Sequence, residues 1–217
     1  MNLLLEAWGP LGRFLEAGGV FSYLVVGCSV VAVAIILEKA FSLRRGQVVP
    51  SEVAQAISEL GSARTLGALE ELCAREKSVL ERLVLASLRN LALSKFENAE
   101  ALQTKARAEI ARLERGLVVL EIIVGIGPLL GLLGTISGLI TIFGQVGEQG
   151  LSSQGGMIAR GISEALHTTL LGLGVSVPCL VAHSIYSRRV ELYSVELEDL
   201  CLELLAKLYG EGAVARF

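Results

Sequence analysis

Three stretches of the chain, residues 17–37, 122–147 and 165–187, contain no Asp, Glu, Lys or Arg. Each is on the order of 20 residues or longer, the length a helix needs to cross about 30 Å of hydrocarbon. In lipid every backbone N–H and C=O must be satisfied inside the segment, so runs of this kind become helices or strands of a closed barrel. Their apolar positions show no strand-like alternation, and flanking segments such as VLERLVLASLRNLALSKF repeat with helical spacing. An all-α integral membrane protein with three transmembrane helices is the expected class. A hydrophobic fraction of 53% and a mean hydropathy of +0.61 over 217 residues agree with it.

Basic residues flank the runs unevenly. Lys39, Arg44 and Arg45 follow the first, Arg112 and Arg115 precede the second, and Arg188 and Arg189 follow the third. GQVGEQGLSSQGG, between the second and third, has none. Positive residues stay in the cytoplasm, so the N-terminus faces out and the C-terminus in. The first run has no basic n-region and no small-residue cleavage site, so it reads as a retained span.

The expected organisation follows: an outer interfacial segment (1–16) with Trp8 and Phe14, a first span (17–38) and a cytoplasmic helical domain (39–116). A second span (117–145), a periplasmic loop (146–156), a third span (157–187) and a cytoplasmic C-terminal helix (188–217) complete it. Within the cytoplasmic domain, Ser51-Glu52 and the Ser78-x-x-Glu81 capping box mark helix starts and Gly61 a break. From Glu97 to Phe143 only Pro128 interrupts the helical pattern, and Glu109 has Lys105 and Arg112 at favourable surface spacing. The second membrane helix is therefore expected to extend into the cytoplasm. The third is expected to do the same, as far as Gly210.

Composition excludes several functions. A net charge of −3 gives no electrostatic reason to expect nucleic acid. Cys28, Cys73, Cys179 and Cys201 are scattered, with no ligand spacing, so neither a metal site nor a cofactor is expected. No nucleophile–base set or phosphate-cradling loop lies on one side of the membrane, and an enzyme is not expected.

The second and third spans carry the informative pattern. At about 100° per residue, Gly127, Gly131, Gly134 and Gly138 form one stripe, flanked by Thr135 and Ser137, with Thr141 a turn beyond. In the third span Gly161, Ala165, Thr168, Gly172, Ser176 and Cys179 share a face, with Thr169 beside it. Small-xxx-small faces pack helices closely, and Pro128 and Pro178 belong to the same packed surfaces. The same faces can also enclose a polar path. Glu164 lies on the shoulder of the third-span face with Arg160 at i−4 and His167 at i+3. It reads either as an interfacial acid at a helix start or as a functional intramembrane carboxylate. His167 reads either as a packing histidine bonded to a backbone carbonyl or as a proton relay.

GPLLGLLGTISG followed by ARGISEALHTTLLGLGVSVPCLVAH resembles the MotA/TolQ/ExbB proton-channel family, and three spans with an outward N-terminus fit its TolQ/ExbB branch. The resemblance implies a proton pathway through Thr135, Glu164 and Thr169, with Thr168 adjoining and His167, Ser137 and Thr141 as weaker members. It implies a bacterial inner-membrane stator that uses the proton motive force, a homo-oligomer of five copies and an ExbD- or TolR-like single-span partner carrying a membrane Asp. A TonB- or TolA-like protein would then transmit force to the envelope. The membrane runs contain no Asp, since the only one in the chain is Asp199, so that carboxylate has to come from another chain. Arg160 and His167 depart from the family pattern and bear on the electrostatics around Glu164. The contrasting reading is a membrane scaffold that packs helices and recruits cytoplasmic proteins without conducting ions.

Overall fold

The computed structural model describes residues 19–61, 63–149 and 155–210, without the side chains of residues 63, 64, 145–149, 155, 157, 160 and 164. The expected interfacial segment, residues 150–154 of the periplasmic loop and the last seven residues lie outside this set, and the two flanking helices take up the rest of the expected loop. All regular structure among the described residues is helical: α1 (Gly19–Ser42), α2 (Arg45–Val48), α3 (Ser51–Ser58), α4 (Ala63–Cys73), α5 (Val79–Arg89), α6 (Lys95–Glu114), α7 (Leu117–Gln149) and α8 (Gly155–Leu208). Three segments are long and apolar enough to span a membrane, within Gly19–Ser42, Lys95–Gly144 and Gly161–Leu208. The chain is a multi-pass membrane protein.

Two compact units divide it. The first takes the described part of Met1–Leu37 with Gly116–Ser184, and the second takes Glu38–Arg115 with the described part of Ile185–Phe217. In the first unit the outward side chains are apolar, among them Val30, Leu132, Ile140, Leu170 and Val177, each roughly half exposed or more. A surface of that kind is stable against lipid and costly in water. Inside, this unit buries Val25, Leu117, Leu120 and Ile123 together with many small residues, Ser22, Ala32, Ala165, Thr168, Ser176 and Cys179.

The second unit has an ordinary apolar core, with Leu43, Val48, Val49, Ile57, Cys73, Leu83, Val84 and Leu197 fully enclosed. Burying each larger side chain contributes about 1.5–3 kcal/mol before entropy is counted. Local signals set the helix starts. Ser78 accepts from Glu81 N–H at 3.1 Å, while the Glu81 carboxylate accepts from Lys77 N–H at 2.7 Å instead of closing the box on Ser78. A reciprocal capping box does form one helix later, between Ser94 and Glu97, and starts α6.

The end of α8 is tied into this unit by side chains. Tyr193 donates to the Leu43 carbonyl at 3.2 Å, and Lys207 donates to the carbonyls of Ile57 (3.0 Å) and Ser58, which closes the C-terminus of α3 with a cation. Tyr209 donates to the Leu93 carbonyl at 3.1 Å and accepts from Asn98 Nδ2 at 3.0 Å. The helical run into the second span is interrupted at Arg115–Gly116, where Gly116 takes φ +93° and α6 gives way to α7.

Glu109 is a correction to the surface pairing expected of it. The side chain is 1% exposed, and besides Arg112 (3.1 Å) and Lys105 (3.9 Å) it meets Arg82 of α5 at 2.7 Å. Burial alone pushes its carboxyl up, but the Arg82 hydrogen bond and the three cations outweigh that and hold it below the usual carboxylate range.

Candidate functional site

α7 and α8 meet through their small residues at very short range. A Cβ on Gly131 would lie 2.9 Å from Thr169 Cα and 3.0 Å from the Thr168 carbonyl oxygen. One on Gly172 would run into the Gly127 carbonyl and come within 3.1 Å of Gly131 Cα. One on Gly134 would meet the Thr168 methyl, and one on Gly138 would lie 3.1 Å from Ala165 Cβ. The two backbones are close enough that only glycine fits at several of these positions, and dispersion and interhelical hydrogen bonds can hold the pair in lipid. Gly161 sits under Ile142, and Gly127 under Ser176. Pro128 and Pro178 lie inside α7 and α8, where neither supplies a backbone donor.

Close approach brings two hydroxyls together. Thr135 Oγ1 of α7 lies 2.5 Å from Thr169 Oγ1 of α8. Thr135 also reaches the Ala165 carbonyl at 3.0 Å and the carbonyl of Gly131, on its own helix, at 3.3 Å. Thr169 reaches the same Gly131 carbonyl at 3.2 Å. Two hydroxyl hydrogens therefore serve more acceptors than they can satisfy at once. Each can turn between a backbone carbonyl, its partner hydroxyl and any third group placed beside them.

The remaining sequence-predicted residues separate into groups. Thr168 is 1% exposed, with its methyl on Gly134, at the packed centre of the contact. Thr141 donates to the Ser137 carbonyl of its own helix at 3.0 Å, and both residues are exposed, apart from the Thr135–Thr169 pair. His167 Nδ1 lies 2.5 Å from the Ser163 carbonyl oxygen, so that nitrogen carries the hydrogen and donates along the helix. The side chains of Glu164 and Arg160 lie outside the described set. By helical register Glu164 stands about 140° from Thr169 around α8, with Ala165 and Thr168 on the face between them.

The sequence reading missed the backbone acceptors Gly131 and Ala165, because a carbonyl carries no residue-specific signal. It also missed Ser22 of α1, whose hydroxyl is fully buried without a hydrogen-bond partner. Among the described residues no cluster of His, Cys, Asp or Glu could hold a metal. In the second unit, Cys73 and Cys201 are pushed up to about 12 by burial and by Glu81 and Glu198 respectively, so neither is a nucleophile at neutral pH.

Comparison with known proteins points the same way as the motifs. Residues 75–199 match the MotA/TolQ/ExbB proton channel family. The chain is 31% identical to an ExbB-like biopolymer transport protein of Synechocystis over 182 residues, covering 81% of this chain and 86% of that one. It is 29% identical to the biopolymer transport protein exbB1 of Vibrio cholerae, over 83% of this chain and 80% of the relative. With the biopolymer transport protein ExbB of Salmonella typhimurium it shares 26% identity, over 94% of this chain and 88% of the relative. A match of this extent, on a three-span helical fold with paired threonines between its second and third spans, makes the chain a member of the MotA/TolQ/ExbB proton channel family, whose members are channels rather than enzymes.

Proposed function

We propose that the chain is the channel subunit of an ExbB/TolQ-like energy-transducing complex of the bacterial inner membrane. Several copies, five in the family pattern, would surround an ExbD- or TolR-like single-span partner and use the proton motive force to drive it. A TonB- or TolA-like protein would carry the force to the envelope. The N-terminus is periplasmic and the C-terminus cytoplasmic in this reading, as the distribution of Lys and Arg requires. The observation that carries it is the Thr135–Thr169 pair, two reorientable hydroxyls in an apolar helix pair that otherwise packs through glycine.

Such a pair suits a carboxylate that changes protonation state. An ionised partner Asp accepts from a threonine hydroxyl that turns away from Ala165 or Gly131, and a protonated one donates to a threonine lone pair. Each exchange trades one hydrogen bond for another, so the step costs on the order of 1 kcal/mol rather than the several of an unpaired charge in lipid. The membrane potential supplies about 2.3 kcal/mol per charge per 100 mV to turn the cycle. Glu164 completes the polar wall.

The test is proton uptake into liposomes holding this chain with and without its single-span partner, under an imposed potential. Partner-dependent uptake supports the channel. Equal uptake with and without the partner overturns the partner-completed path, and assembly with no uptake at all leaves the scaffold reading.

A further inference from the structure

We propose that the groove between α6 and α8 in the helical unit receives the outer stripe of α8 from a second copy of this chain, locked by an Arg107–Asp199 ion pair between copies. This rests on the multi-copy assembly proposed above and names its contact outside the membrane.

The groove has a cavity volume of about 710 Å³. On the α6 side Phe96, Ala99, Gln103, Ala106 and Ile110 line it, at intervals of three and four residues. Phe96 is 78% exposed, an unusual cost for a soluble surface. On the flank of α8 next to the groove, Leu192, Val195, Asp199, Leu202 and Ala206 form an exposed stripe with the same alternation of three and four. Two such stripes interlock as knobs into holes. Leu202 sits on the edge that groove and stripe share, and the stripe faces another direction, so the contact is heterologous and repeats from copy to copy.

Charge and height select the partner. Asp199, the only Asp of the chain, interrupts the apolar stripe at its middle. Among the described residues Arg107 is the one cation on a groove wall that Glu100 and Glu198 also line, and neither Arg107 nor Asp199 joins an ion pair of its own chain. Tyr209 fixes the register, because its hydroxyl bridges Asn98 and the Leu93 carbonyl and sets the end of α8 beside the start of α6, antiparallel. Counting equal rises from that anchor puts Val195 level with Ile110, Asp199 with Ala106, Leu202 with Gln103 and Ala206 with Ala99. Rotation about an axis parallel to the helices preserves height. In a ring of that kind Asp199 of each copy arrives beside Arg107 of the next, and Val195, Leu202 and Ala206 find Ile110, Gln103 and Ala99 at their own levels.

Two differently tagged versions of the full chain test this, one with Arg107→Cys and one with Asp199→Cys, both with the four native cysteines replaced by alanine. Co-expressed in membranes and treated with a short bis-maleimide, they are expected to yield a product carrying both tags, and a chain with both substitutions is expected to give a ladder of multiples. In the native-cysteine background, Arg107→Asp or Asp199→Arg alone is expected to speed exchange of tagged copies by about tenfold, and the pair together to restore it. Cross-links confined to one chain, or to a different protein, overturn the proposal. An intact oligomer by native mass spectrometry with no two-tag product and no charge-swap rescue overturns the surface but leaves the assembly standing. A monomer by that measurement removes both.

Discussion

In the proposed proton path the hydroxyl oxygens of Thr135 and Thr169 are expected to matter more than the side-chain volume. Thr135→Ser keeps the donor and is expected to retain proton uptake within about twofold, whereas the near-isosteric Thr135→Val is expected to lower it by about tenfold or more. Uptake in the reconstituted complex reads both, and a valine variant as active as serine would mean that the pair only packs. Glu109 carries a separate prediction. Its folded carboxyl is held below the usual range by Arg82, Arg112 and Lys105, so its contribution to stability is present above about pH 4.3, the ordinary glutamate value, and is lost as pH falls through the lower folded value. Thermal unfolding of the full chain in detergent should therefore drop more steeply toward acid in the wild type than in Glu109→Gln. At neutral pH that variant should be destabilised by roughly 2–3 kcal/mol, toward the low end for a buried pair because Arg82 and Arg112 keep contact with water. These residues were unequally legible. Thr135 and Thr169 stand out because a hydroxyl in an apolar run needs a reason, and Lys105 and Arg112 stand at helical spacing from Glu109. Arg82 could not be read, because its partner lies 27 residues away and only the packing of α5 on α6 joins them.

Among the elements, α8 gives the sharpest contrast, between two glycines only two residues apart. A Cβ on Gly172 collides with backbone of α7 that cannot rotate away, while one on Gly174 meets nothing within 4 Å. Gly172→Ala is expected to cost about 1–3 kcal/mol as overpacking, read as a lower melting temperature in detergent, and Gly174→Ala is expected to leave it unchanged. The reverse order would contradict the packing described. At the start of α6, Ser94→Ala removes one half of the capping box and should cost about 1 kcal/mol by the same measurement. The two glycine stripes were readable from their spacing, since period and residue size together fix which face can approach a neighbour. The break at Gly116 was not. A glycine inside a helical pattern is tolerated at a modest cost, so the pattern alone does not tell that Gly116 takes φ +93° and ends the run. The Ser94 cap went unread for a similar reason, since Lys95 and Phe96 already fit the helical period.

For the whole molecule, three spans and a helical class were legible because the bilayer admits few solutions and fixes their length. The division of the chain into a unit with an apolar outer surface and a unit with an ordinary Leu and Val core was legible only in outline, because the ties of Tyr193, Lys207 and Tyr209 to Leu43, Ile57 and Leu93 join positions more than a hundred residues apart. The functional predictions all depend on one proposal: paired threonines and an intramembrane carboxylate form a proton path completed by another chain. Proton uptake by liposomes holding the chain with its single-span partner, compared with Glu164→Gln at equal assembly by native mass spectrometry, tests it most directly. The account predicts that uptake falls to the level seen without the partner, and uptake that persists unchanged in Glu164→Gln and in Thr135→Val would contradict it.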